Sequence, residues 1–552
     1  MLKGIINKKA HILSVILIVF VTALVYANCL INMFIWDDYA VIVENNFVKS
    51  WENIPALFNQ NYLSDYIKKG DWYFVDSSSG SGETSYRPVA TLTYFIDYAF
   101  WKLNPFGYHL TNLLLHIINA LLIYFFIHLI TKKKRIALLS SLLFALHPVN
   151  SEAVNVISFR EDLLVLAFFL SSLILYIKLN KFSGMKKAVF YSLSLFSFFL
   201  ALFSKEMAII LPLILILYDY FFVLKGKLKG ILARFRYYSG YIIILLFYLF
   251  MRFFLIVNNH LPVTYPGESF YINILTMSKV MATYLKWLFS PGDIYSTIPD
   301  WSDLTVNYFF DFWVLFSIVL LIACFLLAIR IHKSSKYYSF TIFWFFITLL
   351  PVSNLFPMTN YIASRFLYLP ALGFCFFAGV LLNKKGVKKL KYLPLVILAI
   401  YSVLAFERNA SWEENTEFHL RMAQRYPNNS LIHLELGNCY YKAGLIDKAI
   451  KEYKIVLKLD PGLAWAYSNL GFAFTRKEQY KEAIACFSQA IKIDPDDPKV
   501  YDSLAVTYAK SKKWQEAKKA WVKALEIDPG FEVAKKKLLE LEEFRKTGLK
   551  AK

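Results

Sequence analysis

Apolar runs of about 15 to 25 residues recur from Met1 to about Phe406, and nothing else limits the fold so strongly. A run of that length fits the hydrocarbon core of a bilayer as a helix, because a helix satisfies its own backbone polar groups. From Glu407 onward the chain is polar and helix-periodic. The sequence therefore predicts an all-α protein with a polytopic membrane domain over 1–406 and a soluble helical domain behind it. With 57% hydrophobic residues and a mean hydropathy of +0.44, the chain is too apolar for an ordinary soluble protein.

The net charge of +21 raises the question of nucleic acid, and its distribution answers against it. Six short segments between apolar runs (3–9, 132–135, 178–187, 225–236, 330–336 and 384–391) hold 24 Lys or Arg and no Asp or Glu. Such loops mark the cytoplasmic side of a membrane protein. From Glu407 on there are 26 basic and 21 acidic residues, so most of the excess is topological. The first apolar run, about 11–35, is long for a signal segment and lacks a small-residue cleavage site, so it reads as a retained helix.

With the N-terminal lysines inside, eleven spanning helices are expected, at about 11–35, 109–130, 136–150, 163–179, 188–204, 207–224, 238–257, 309–329, 338–356, 362–382 and 390–406. Residues 36–108 form a long external loop, and 258–308 form another. Within the second, 272–290 is apolar but carries Lys279 and Lys286. Spanning there would put 330–336 on the wrong face, so an interfacial helix is expected. The count leaves the C-terminal domain outside.

That domain repeats every 34 residues. Leu436, Leu470 and Leu504 keep this spacing, as do Gly437, Gly471 and Ala505, then Ala449, Ala483 and Ala517, then Tyr453, Phe487 and Trp521, and Pro461, Pro495 and Pro529. The period and residue types match the tetratricopeptide pattern over three repeats at 430–531. Small residues let two helices approach, aromatics fill the seam and the proline ends each second helix. Residues 407–429 read as a linker with a partial repeat, and 532–552 as a capping helix and tail. Such a solenoid binds an extended peptide or a helix, and the repeats alone do not say which.

Charges that a membrane should not hold gather on the expected external side. They are Asp37 and Asp38 in "WDD", Arg87 in "SYRP", and His147, Glu152, Arg160, Glu161 and Asp162 in "HPVNSEAVNVISFRED". Lys205 and Glu206 in "SKEM", Arg365 in "SRFLYLP" and Arg408 in "ERNASW" complete the set. An ionised residue at helix centre costs roughly 2.5–3.5 kcal/mol, so each belongs at an interface or in a wet cavity. Any single one reads equally as an interfacial anchor; five loops sending acids and arginines to one face do not. A carboxylate can take a proton from an incoming hydroxyl. Arginines can hold a phosphate leaving group by forked hydrogen bonds. A sugar on a polyprenyl phosphate supplies that leaving group at a bilayer surface. Carboxylates also suit hard cations, but adjacent Asp37 and Asp38 alone cannot build a six-oxygen site, and no metal is predicted. The five cysteines (Cys29, Cys324, Cys375, Cys439, Cys486) have no metal or redox spacing and read as buried small residues, with one disulfide left open.

The ordered motifs "WDD", "YRPVATLTY", "NPFGYHLTNLLLH", "ALHPVNSEAV", "SFREDLL", "SKEMAIILP", "SRFLYLPALGF" and "RNASW", followed by tetratricopeptides, resemble the TMTC family over about 33–531. These are transmembrane and tetratricopeptide-containing O-mannosyltransferases of the GT-C fold. The resemblance implies inverting transfer of mannose from a polyprenyl-phosphate donor to Ser or Thr hydroxyls on the extracytoplasmic side, with the repeats binding the acceptor. It implies an acidic motif in the first external loop, matched here by Asp37 and Asp38. Arg87, Arg160 and Arg365 are then the candidates for the donor phosphate. His147, Glu152, Glu161, Asp162 and Lys205 are candidates to line the sugar or lipid-phosphate site, with Glu206 and Arg408 behind them. Asp38, farther from the hydrocarbon, is the favoured base, although the sequence leaves open which aspartate does which. Two departures stand out. The family's Glu before that arginine is Ser364 here, and the loop 64–85 is long. The Lys- and Ile-rich composition looks microbial, which would make the donor undecaprenyl-linked and the membrane a plasma membrane; in a eukaryote the active face would be the ER lumen. A non-catalytic membrane scaffold and a transferase with a lipid or glycan acceptor are the alternatives. No Gly-rich phosphate loop, zinc spacing or serine elbow is evident.

Overall fold

The computed structural model describes residues 2–43, 45–58, 86–255, 265–293, 306, 308–358, 360–384, 386, 390, 392–412 and 415–547. The long loop segment 64–85 and the tail beyond Thr547 lie outside the described residues. No strand occurs among the described residues. The chain divides into two compact units that meet in sequence at Glu413–Glu414.

In the first unit the principal helices are α1 (Leu2–Tyr26), α2 (Pro88–Trp101), α3 (Pro105–Thr131), α4 (Lys134–Leu146), α5 (Arg160–Lys178), α6 (Gly184–Ser204) and α7 (Leu211–Tyr218). They continue as α8 (Phe235–Phe250), α9 (Phe270–Phe289), α10 (Phe312–Ile331), α11 (Lys336–Leu349), α12 (Ala371–Leu382) and α13 (Leu393–Ala410). Every one of the eleven expected apolar segments contains a helix. Seven helical stretches are long and apolar enough to cross a membrane, and an eighth arises if Lys134–Leu146 and Pro148–Asn155, bent by 50°, make one span. Lys336–Val352 and Ala371–Leu382 are apolar but shorter, and α9 with its two lysines is not among the seven. The protein is thus a multi-pass membrane protein. Its outer face confirms the solvent it needs: Phe20, Ile243, Leu246, Phe253, Val319 and Ile400 are more than half exposed, a surface that only lipid covers without cost.

The bend after α4 has a local cause. Pro148 lacks an amide hydrogen, and His147 Nδ1 instead accepts the Val149 N–H at 3.2 Å. Its Nε2 lies 3.1 Å from the Leu288 carbonyl and donates to it. His147 is fully buried against Tyr401 and Phe374.

The second unit is a helical solenoid. Three antiparallel pairs, Ser430–Lys442 with Ile446–Leu459, Ala464–Arg476 with Tyr480–Ile493, and Pro498–Lys510 with Trp514–Ile527, follow the 34-residue period. Gly437 lies under the Tyr453 ring and Gly471 under Phe487; a Cβ there would come within 2.5 and 2.8 Å of those rings. Ala449, Ala483 and Ala517 are fully buried at the crossings. Asn415–Arg425 precedes the first pair, and Glu532–Thr547 packs on the last through Phe531, Ala534 and Leu541. Cys439 and Cys486 are free thiols.

Candidate active site

Ten residues beyond the end of α1, past the short helical turn Ala27–Ile31, a tight turn creates the "WDD" geometry. Trp36 takes the left-handed region at φ +48°, an uncommon conformation for a residue with a bulky side chain. The turn throws Asp38 back, so that its Oδ2 accepts the Ile35 N–H at 3.1 Å. Its Oδ1 accepts the Ser158 N–H at 2.7 Å. Asp38 is fully buried, and that burial raises its carboxyl to about 6 despite these backbone hydrogen bonds, which pull the other way. Asp37 keeps a 5% exposure. Asp38, the base favoured from sequence, thus accepts one backbone N–H on each oxygen and ties the turn to the segment before α5.

That segment, the short turn Ile157–Phe159, is the hub of the site. Ile35, Val156, Phe159 and Trp412 pack together, with Trp36 edge-on to Trp412 at 5.0 Å between ring centres. Arg365 stacks on Phe159, its guanidinium carbon 3.8 Å from the ring centroid. Arg365 donates to Glu152 Oε1 at 2.7 Å, and its backbone N–H reaches Oε2 at 3.1 Å. Ser364 Oγ also donates to Glu152 Oε2, and Arg408 Nη2 donates to Ser364 Oγ at 3.3 Å. Where the TMTC pattern carries a glutamate, two guanidiniums here converge on one serine and one carboxylate.

Immediately beyond the hub, the first turn of α5 holds Glu161 and Asp162, where a helix N-terminus favours negative charge. Lys205, in the break between α6 and α7, donates to Asp162 at 2.7 Å and lies 3.3 Å from Glu161. It also sits 5.8 Å from the Phe366 ring centroid. Arg87, just before α2, pairs with Glu161 and forks onto Glu206 at 2.7 and 3.3 Å. Arg252 approaches Glu206 at 3.9 Å. Arg87, Glu161, Asp162, Lys205 and Glu206 thus form one network, and Glu152 and Arg365 form a second joined to it through Phe366 and the start of α5.

Two of the expected ligands lie elsewhere. Arg160 is fully buried. It pairs with Asp97 at 2.5 Å and donates to Asn112, Thr93 and the Tyr108 carbonyl at 2.7, 3.0 and 3.0 Å. A guanidinium so engaged fastens α2 and α3 to α5. His147 serves the bend described above. Sequence reasoning missed Arg252, Ser364 as a hydrogen-bonding partner, and Asn409. Asn409 accepts from Ser151 and Asn155 at 2.8 and 2.7 Å and donates to the Val25 carbonyl at 3.2 Å. The "RNASW" motif therefore staples α1, the "VNSEAVN" segment and α13 together. Among the described residues, no group of three or more His, Cys, Asp or Glu side chains is placed to hold a metal ion.

Comparison with known proteins matches both units. Tetratricopeptide repeat models match residues 464–497 and 498–531, and a TPR repeat model matches 437–478. The Protein O-mannosyl-transferase F38B6.6 of Caenorhabditis elegans is 26% identical over 82% of this chain and 64% of its own length. The mouse Protein O-mannosyl-transferase TMTC3 is 25% identical over 86% of this chain and 54% of its own, and human TMTC1 is 25% identical over 82% and 55%. The chain therefore spans between about half and two thirds of the curated relatives it matches. A crystal structure of ArnT from Cupriavidus metallidurans bound to undecaprenyl phosphate aligns with 88% of this chain and 80% of its own at a TM-score of 0.40 and 13% identity. The resemblance to the TMTC proteins, carried by ordered motifs along the sequence, extends over most of the chain.

Proposed function

We propose that this multi-pass protein is a glycosyltransferase that moves a sugar, mannose by its resemblance to the TMTC proteins, from a polyprenyl-phosphate donor to Ser or Thr hydroxyls of protein. The observation that carries this reading is the arrangement around Phe159. The "WDD" turn is anchored on the adjacent Ser158, the guanidinium of the Arg365–Glu152 pair stacks on the Phe159 ring, and Lys205 stands over Phe366, next to Arg365 in the chain.

Asp37 is the proposed base. It takes the proton of the acceptor hydroxyl as that oxygen attacks the anomeric carbon, and the sugar–phosphate bond breaks with the electron pair leaving on the polyprenyl phosphate. Attack from the face opposite the leaving group inverts the anomeric centre. Arg365 is the proposed phosphate holder, pre-oriented by Glu152 and by stacking on Phe159, with Lys205 beside it. Arg87, Glu161 and Asp162 keep Lys205 in place. A network whose cations are already paired keeps its geometry without substrate, and this preorganisation favours charge on the departing phosphate.

The membrane unit is proposed to carry the chemistry and the tetratricopeptide unit to bind the acceptor. The N-terminus is proposed to lie in the cytoplasm, with the active site and the repeats on the extracytoplasmic side. Purified protein incubated with labelled polyprenyl-phosphate mannose and a Ser/Thr-rich peptide, with and without chelator, tests the activity. A reporter fused after Lys552 tests the orientation. Deleting 430–552 tests the acceptor role: full protein glycosylation without the repeats would favour a lipid or glycan acceptor.

A further inference from the structure

The far end of the bundle carries a second polar cluster that the transfer chemistry does not use. Helix α5 starts at the site and runs 19 residues to Lys178, so its last turn lies about 28 Å away. The start of α6, the end of α7 and the start of α8 reach the same end, because Lys205, Glu206 and Arg252 mark their other ends at the site.

At this far end one buried carboxylate, Asp219, accepts three donors at 2.6 Å: the hydroxyls of Tyr176 and Tyr238 and the Arg234 guanidinium. Arg234 is thereby neutralised. Two further cations are not. Lys187 Nζ donates to the Tyr237 hydroxyl at 2.9 Å and Arg236 Nη2 donates to the same oxygen at 3.2 Å. Both stand over the Tyr237 ring, at 5.1 and 5.0 Å from its centroid. Neither reaches a carboxylate among the described residues. Two cations held on one neutral phenol are a site prepared for an anion.

The surroundings say what kind. Leu228, Leu232, Phe235 and Met185 beside it are 68%, 80%, 56% and 79% exposed, and residues 225–236 carry five basic side chains and no acid. Exposed apolar groups interleaved with cations suit the headgroup layer of a membrane rather than water. We propose that Lys187 and Arg236, positioned by Tyr237, bind the phosphate of an anionic membrane phospholipid. The proposal is independent of the transfer reaction, because the site lies at the opposite end of the helices.

The test is lipid retention. Full-length protein is reconstituted in a mixture of phosphatidylglycerol and phosphatidylcholine, stripped in detergent, and its bound lipids counted by native mass spectrometry. Wild type should retain phosphatidylglycerol preferentially, and each of Lys187→Ala and Arg236→Ala should cut that preference roughly fivefold. A Lys132→Ala/Lys133→Ala variant, which removes two cations from another loop against one in each test variant, should keep it, and millimolar inorganic phosphate should not displace the lipid. Equal retention of both lipids by wild type would overturn the proposal. So would an equal loss in the Lys132/Lys133 variant, which would mean diffuse charge, or displacement by inorganic phosphate, which would mean a site for the free ion.

Discussion

The backbone N–H of Ser158 donates to Asp38 Oδ1 at 2.7 Å across 120 residues of chain. With the Ile35 N–H on its other oxygen, Asp38 is held as a clasp between the segment that follows α1 and the hub at Phe159. Its neighbour Asp37 is the base in the proposed reaction. Two adjacent aspartates that look interchangeable in sequence thus take different parts in the proposal: Asp38 holds the turn and Asp37 acts as the base.

The division predicts different losses. Asp38→Ala orphans two buried amides and should destabilise the protein by about 1–3 kcal/mol for each, read as a lower unfolding temperature. Asp37→Asn should leave that temperature near wild type and lower transfer by about a hundredfold or more, the contribution of a positioned base.

The clasp also predicts a pH dependence. Burial raises the Asp38 carboxyl from 3.8 to about 6, so the folded state keeps its proton after the unfolded state has lost it. Stability from this group is full below about pH 4 and is lost as pH rises through about 6, a change of about 3 kcal/mol. Thermal unfolding between pH 4 and 7 should show this fall in wild type, and Asp38→Asn should remove it.

The two buried arginines should part company. Arg160→Ala strands Asp97 and should cost about 3–5 kcal/mol, with donor KM unchanged in whatever protein remains folded. Arg365→Lys keeps the charge beside Glu152 but loses the planar stack on Phe159. It should raise donor KM with a smaller effect on stability.

In the solenoid, Gly437→Ala places a methyl within 2.5 Å of the Tyr453 ring. The ring is buried and its hydroxyl is bonded to Asn438 at 2.9 Å, so it cannot swing away. An overpacking cost of about 1–3 kcal/mol follows, measurable as faster proteolysis of the repeat unit in the full-length protein.

What the sequence made legible is what local rules govern. The period of 34 survives because each repeat's Gly, Ala and aromatic meet the same neighbours one helix away. The apolar segments were legible because the bilayer reads length and hydrophobicity alone. The pairing of charges was not. Arg87 meets Glu206 across 119 residues, and Arg160 meets Asp97, an acid hidden within an otherwise apolar helix. Two positions left signals that could have been used: Pro148 directly after His147 marks the bend, and Asp219 between two tyrosines at the end of an apolar run marks a buried carboxylate. Arg252 offered none, since a lone arginine at a helix end reads as an anchor.

The most direct test of the central claim is single-turnover transfer from labelled polyprenyl-phosphate mannose to a Ser/Thr-rich peptide by purified wild type, Asp37→Asn and Arg365→Ala proteins of matched folding. The account predicts labelled peptide from wild type, released polyprenyl phosphate in equal amount, and loss of both in each variant. Undiminished transfer by Asp37→Asn, or no transfer by wild type from any polyprenyl-phosphate sugar, would contradict it.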